Sequence, residues 1–256
     1  MADRQTIIES VKSKYGAVAQ AGAPLCCSPS GCGDVALTDI STGYAPDELN
    51  SVPKGASMGL GCGNPTAFAN LKSGEVVLDL GSGGGVDCFL AAKKVGERGF
   101  VIGVDMTDAM VDRARLNAAA GGYANVDFRL GEIEDLPVDA GTVDAIISNC
   151  VINLAPDKSR VFGEMYRVLK PGGRFSVSDV VFRGAVPSQL KEDMESWAGC
   201  VAGALDKNRY LEIVQKAGFE RIEIRSEVEY DYLKTDDFAL VSVTVVGHKP
   251  TNNGER

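Results

Sequence analysis

The 256-residue chain has one histidine, His248, near its end. A multi-histidine metal site is therefore excluded. The same count argues against a Ser-His-Asp or Cys-His mechanism. Basic residues are the minority, 26 Lys and Arg against 35 Asp and Glu, for a net charge of −9. That balance argues against nonspecific binding to nucleic acid, whose phosphates attract basic surfaces. No apolar run approaches the roughly 20 residues that span a bilayer. Residues 1–16 lack the apolar centre of a signal peptide. The expected setting is the cytoplasm, with a monomer as the default and neither membrane nor nucleic acid as partner. Cysteine, by contrast, is plentiful: seven residues, all before position 201. Cytosolic thiols stay reduced, so clustered cysteines there point to ligand binding or catalysis rather than to disulfides. An odd count also fits a fully paired framework poorly.

Hydrophobic content of 45% suffices for a real core. Residues 3–20 predict an amphipathic helix, with Ile7, Ile8, Val11, Tyr15 and Val18 at helical spacing. Residues 21–74 hold nine Gly, five Pro and four Cys, and read as loop-rich. From residue 75 strands and helices alternate. Strands are expected at 76–80, 100–104, 126–130, 143–148 and 174–181, and helices at 86–95, 108–120 and 158–169. Residues 170–173, Lys-Pro-Gly-Gly, read as a turn. A helix near 209–217 and two strands near 221–228 and 238–246 close the pattern. Nearly all-apolar strands separated by helices predict an α/β, Rossmann-like sheet, mostly parallel and covered on both faces. The late strand pair predicts a hairpin, and so an antiparallel member at one edge. The expected organisation is a helix and Cys-rich segment over 1–74, a main domain over 75–250 with an insertion near 182–206, and a tail over 251–256.

Asp79-Leu80-Gly81-Ser82-Gly83-Gly84-Gly85 follows the first strand and opens the first helix of this domain. Glycine there allows a tight turn and close approach of a ligand to backbone. The dinucleotide fingerprint Gly-x-Gly-x-x-Gly fails, because position 86 is Val. The pattern Asp-x-Gly-x-Gly-x-Gly instead resembles the S-adenosylmethionine-dependent methyltransferases of class I. Asp105 ends the second strand at the spacing of a ribose-binding carboxylate, with Met106 beside it. Gly131, Glu132 and Ile133 follow the third strand, where the superfamily faces adenine. Asn149 follows the fourth. The resemblance places Asp79 near the loop amides or the cofactor's ammonium. All lie at strand C-termini, where open α/β sheets bind ligands.

Three cysteine contexts carry the reading further: Gly61-Cys62-Gly63-Asn64-Pro65, Ser148-Asn149-Cys150-Val151-Ile152-Asn153-Leu154 and Gly199-Cys200-Val201-Ala202-Gly203. Each resembles a signature segment of the arsenite methyltransferases, and the likeness runs from about residue 10 to residue 247. The resemblance implies S-adenosylmethionine as cofactor and arsenite, or its thiol conjugates, as substrate. It implies Cys62, Cys150 and Cys200 as arsenic ligands. It also implies an N-terminal cysteine that pairs with Cys62 to reduce arsenic, with a small thiol or a thioredoxin-type protein as the final reductant. Cys26 and Cys27 are favoured for that role and Cys32 is an accessory. Thiolates suit trivalent arsenic because it is soft. Cys88, inside a helix beside Phe89 and Leu90, reads as a buried hydrophobe. Trp197 and Tyr44 read equally as walls of the arsenic pocket or as packing residues, and His248 reads as solvated. Two rival readings stand: a methyltransferase for a small organic acceptor, and a non-catalytic arsenic-binding or sensing protein.

Overall fold

The computed structural model describes residues 4–21, 43–185, 203–235 and 237–251. The elements, in order, are α1 (Arg4–Ala21), α2 (Pro46–Asn50), α3 (Pro65–Phe68), β1 (Val76–Leu80), α4 (Val86–Val95), β2 (Phe100–Asp105), α5 (Asp108–Gly121), β3 (Val126–Leu130), β4 (Val143–Asn149), α6 (Lys158–Val168), β5 (Leu169–Gly184), α7 (Lys207–Lys216), β6 (Glu220–Thr235) and β7 (Phe238–His248). The strands form one seven-stranded sheet in the order β3-β2-β1-β4-β5-β7-β6. β1 to β5 run parallel, and β7 lies antiparallel between β5 and β6. The expected hairpin thus supplies the antiparallel end of the sheet. Its reversed strand sits one place in, with β6 outermost.

Alternate residues of each strand enter two cores. Leu78, Leu80, Ile102, Ile146 and Val177 pack with Phe162 and Met165 of α6 and Val214 of α7. Val77, Val101, Ala145 and Ile147 pack with Phe89 and Leu90 of α4 and Val111 and Ala114 of α5. Two buried faces explain why these strands are apolar throughout rather than alternating. Strand order turns back between β1 and β4. This switch point opens a crevice beyond the strand C-termini.

β5 is longer than the sequence implies. Leu169 already pairs with Val143 and Arg174 with Ala145, so the 170–173 turn is held as an irregularity within the strand. At its far end β5 reaches Gly184, where the Phe182 amide donates to the Leu205 carbonyl (3.0 Å). β6 likewise runs past 228 because it follows β7 along most of its length. His248 is half-buried rather than solvated. It pairs with Arg174 and Glu220 at the end of β7. Burial, then Arg221 and Arg174, hold its pKa down.

One buried polar cluster interrupts the first core. Asp179, 1% exposed, accepts from the Tyr210 hydroxyl (3.3 Å) and from the Val180 amide (3.1 Å). Burial pushes its carboxyl up to about 7, although Lys158 opposes this. A carboxyl whose folded pKa lies above its ordinary 3.8 favours folding at low pH, and that contribution is lost as pH rises towards about 7. Asp179→Asn is expected to flatten the decline in unfolding free energy between about pH 4 and pH 7. Denaturant titrations across that range check it; an unchanged slope would refute the assignment.

Candidate functional site

The crevice beyond β1–β4 holds a partly open cavity, lined in part by the glycine loop. The Gly81 and Ser82 amides donate to the Val104 carbonyl (2.8 and 3.1 Å), which ties the loop to β2. Gly81 and Gly83 adopt φ of 67° and 50°, in the left-handed region. A Cβ on Gly81 would come within 2.4 Å of Val151. The Asp105 carboxylate accepts from the Gly83 amide (3.0 Å) and the Thr107 amide (2.9 Å). It therefore braces the loop as well as facing the cavity.

Asp79, Asp105, Met106, Glu132, Ile133 and Asn149 all line this cavity, together with Gly81 and Gly83. Gly131 does not. Its amide donates to the Asp105 carbonyl (3.0 Å), and a Cβ there would meet Pro137 at 2.7 Å. It shapes the turn that presents Glu132. The helix α1 closes the cavity with Ile8, Val11 and Tyr15. Arg4 fastens that helix by donating to Glu132 and Glu134 (2.8 Å each).

Two further residues line the cavity: Tyr44, which the sequence leaves between a pocket and a packing role, and Asp87, which it does not mark. Tyr44 donates its hydroxyl to both carboxylate oxygens of Asp87 (2.7 Å), at the start of α4. Burial pushes the Asp87 carboxyl up to about 6, against the hydrogen bonds from Tyr44 and Asn149. Tyr44 is itself pushed well up by burial and by Asp87. Nothing local marks Asp87, since an acid in the first turn of a helix is common for electrostatic reasons alone. Cys88 is buried as expected, yet it is more than a hydrophobe. Its thiol donates to Asp79 Oδ2 (3.2 Å). Burial and the neighbouring Asp87 push the Asp79 carboxyl well above the usual range.

Cys150 follows β4 and lines the cavity. Its φ is 61°, which costs a non-glycine residue about 1–2 kcal/mol. Its amide is held by the Ser178 carbonyl (2.7 Å). Cys62 lies behind the lining, and both thiols share one apolar cluster with Val180, Tyr230 and Leu240. Cys200, Cys26 and Cys27, like Cys32 and Trp197, lie outside the described residues.

No described Lys or Arg lines the cavity, whereas Asp79, Asp87, Asp105 and Glu132 do. The Ser82 hydroxyl is buried without a hydrogen-bond partner among the described residues. A ligand carrying positive charge and several polar groups fits this set. Residues 71–218 match a family model described as a methyltransferase domain. An arsenite methyltransferase of Halobacterium salinarum is 45% identical over 98% of this chain and 68% of its own length. The chain belongs to the arsenite methyltransferase family. An arsenite methyltransferase of Aquipseudomonas alcaligenes is 40% identical over 82% of this chain, which spans 61% of that relative. A solved arsenic(III) S-adenosylmethionine methyltransferase from Chlamydomonas reinhardtii is 35% identical, with a TM-score of 0.69 over 86% of this chain and 74% of that one. As an arsenite methyltransferase family member, the chain is an S-adenosylmethionine-dependent enzyme of the class I fold. The cofactor's ammonium and sulfonium suit the acidic cavity. Among the described residues, no helix is long and apolar enough to cross a membrane.

If Asp105 both braces the loop and meets the ribose, Asp105→Ala should weaken S-adenosylmethionine binding by about tenfold or more. Calorimetric titration measures it, and an unchanged Kd would remove Asp105 from the site.

Proposed function

We propose that this protein is a cytoplasmic arsenite methyltransferase that carries trivalent arsenic on the thiolates of Cys62, Cys150 and Cys200. The observation that carries the reading is the Cys62–Cys150 cluster. Two buried thiols share one apolar cluster at the wall of an acidic cavity, and Cys150 faces the cavity itself. Arsenite exchanges a hydroxyl for each thiol, and the thiol proton leaves with that oxygen as water. The soft thiolates hold the metalloid and leave its lone pair free. S-adenosylmethionine supplies an electrophilic sulfonium methyl.

The chain's own contribution is positioning. Asp79, Asp105, Glu132 and the buried Ser82 hydroxyl would orient the cofactor over the Gly81–Gly83 turn, with Met106 and Ile133 bounding it. Cys150 stands at the end of β4, next to this set, and presents arsenic from the thiol side. The arsenic lone pair is the nucleophile, so no general base is required, and a chain with one histidine loses nothing. α1 shields the reacting groups from water with Ile8, Val11 and Tyr15.

Methylation oxidises arsenic from the trivalent to the pentavalent state, so the cycle needs two electrons. Cys62 and one of Cys26 or Cys27, with Cys32 as an accessory, supply them by closing a disulfide. A small thiol or thioredoxin-type reductant then reopens it. Family membership supports this part of the reading.

Incubation with arsenite, a thiol reductant and methyl-labelled cofactor tests the proposal. The wild-type chain is expected to yield labelled methylarsenicals, and Cys150→Ser to lose both arsenic binding and methyl transfer. Robust turnover in Cys150→Ser would overturn it. Binding of arsenite without consumption of cofactor would favour the sensing alternative. Label in an organic acceptor alone, insensitive to thiol alkylation, would favour the organic-acceptor alternative.

A further inference from the structure

Cys62 sits between two glycines, and the structure gives each a steric reason. A Cβ on Gly61 would fall 2.7 Å from Asn149 Nδ2. One on Gly63 would fall 2.6 Å from Ser178 Oγ. Both are below any distance a real Cβ tolerates, so the 61–63 backbone lies directly against the end of β4 and the middle of β5. Close approach lets one side chain grip it. Asn149 Oδ1 accepts from the Cys62 amide (3.0 Å), and Asn149 Nδ2 donates to the Gly63 carbonyl (2.7 Å). The remaining Nδ2 hydrogen is shared between the Tyr44 hydroxyl (2.8 Å) and, at longer range, Asp87 Oδ2 (3.4 Å). An amide has two N–H donors, and both are committed within the protein. The Cys62 carbonyl is held independently by the Ser242 hydroxyl of β7 (2.6 Å).

The other thiol is tied to the same residue through the main chain. Cys150 is the next residue, with its amide fixed on β5 and its φ in the left-handed region. Asn149 thus governs Cys150 by covalent geometry and Cys62 by its amide.

We propose that Asn149 is a positioning residue that sets the spacing of the Cys62–Cys150 pair for a trivalent arsenical. This departs from the cofactor-binding role expected of it, since its amide hydrogens are taken by the Gly63 carbonyl, Tyr44 and Asp87. The inference rests on the reading that these thiols take arsenic. In the step it serves, two thiols replace two arsenic-bound hydroxyls and two waters leave, with no change in oxidation state.

The test uses the full chain with Cys26, Cys27, Cys32 and Cys200 changed to Ser. Apart from Cys88, bonded to Asp79, only Cys62 and Cys150 then remain. The probe is a phenyl-substituted trivalent arsenical, which takes two thiols. The parent is expected to bind one equivalent. Asn149→Ala is expected to weaken binding about tenfold or more. Asn149→Asp, which keeps an acceptor for the Cys62 amide, should fall between them. The alkylation rate of Cys150 by a monofunctional reagent should change little, whereas general loosening of the site would raise it. Binding in Asn149→Ala equal to the parent's overturns the proposal. If that variant does not fold, undiminished binding by Asn149→Asp overturns it. A parent that fails to bind the probe also overturns it. Methylation of arsenite by the unmodified chain reports separately on the function proposed above.

Discussion

The 61–63 backbone rests against β4 and β5 with no room for a side chain on either neighbour of Cys62. Most of the site's geometry depends on that contact. It brings a thiol from the loop-rich N-terminal segment to within reach of one at the end of a central strand. An alanine at either glycine would force Asn149 or Ser178, or the segment itself, to shift. The arrangement also explains why a flexible-looking Gly-Cys-Gly tripeptide ends in a fixed position. Its peptide groups are hydrogen-bonded by Asn149 and Ser242 from two different strands.

The cavity beside it follows a different logic. Three carboxyls, the buried Asp79 and Asp87 and the half-buried Asp105, surround one space, and desolvation drives each upward in pKa. The protein offsets part of that cost with local donors: the Cys88 thiol, the Tyr44 hydroxyl and the amides of Gly83 and Thr107. What these donors leave unbalanced is negative charge, and a cationic ligand completes it. An enzyme that used a pyrophosphate cofactor would need the opposite sign here.

Much of this was legible in the sequence, and the reasons are physical. The apolar strands and the glycine loop follow from local rules of burial and backbone conformation. So did the positions of Asp105 and Glu132, because they sit at strand ends. The pairing of Tyr44 with Asp87 was not legible, since it spans 43 residues and leaves no periodic trace. Cys88 looked like filler because a helix interior gives no hint of a carboxylate beneath it. The extra length of β6 reflects pairing with β7, a tertiary effect that propensity does not record. His248 sits at a strand end beside Arg174 and Glu220, and its partial burial depends on partners remote in sequence.

The bond from Ser242 to the Cys62 carbonyl joins positions 180 residues apart. β7 also lies between β5 and the outer edge of the sheet. The thiol pair therefore belongs to the non-local contacts of the fold, the ones that carry the greatest loop-closure entropy. During synthesis the cofactor loop and its strands emerge first. The full set of tethers around Cys62 cannot exist until the last strand has joined the sheet. A growing chain would thus display its glycine loop well before the Cys62 segment could reach a fixed geometry.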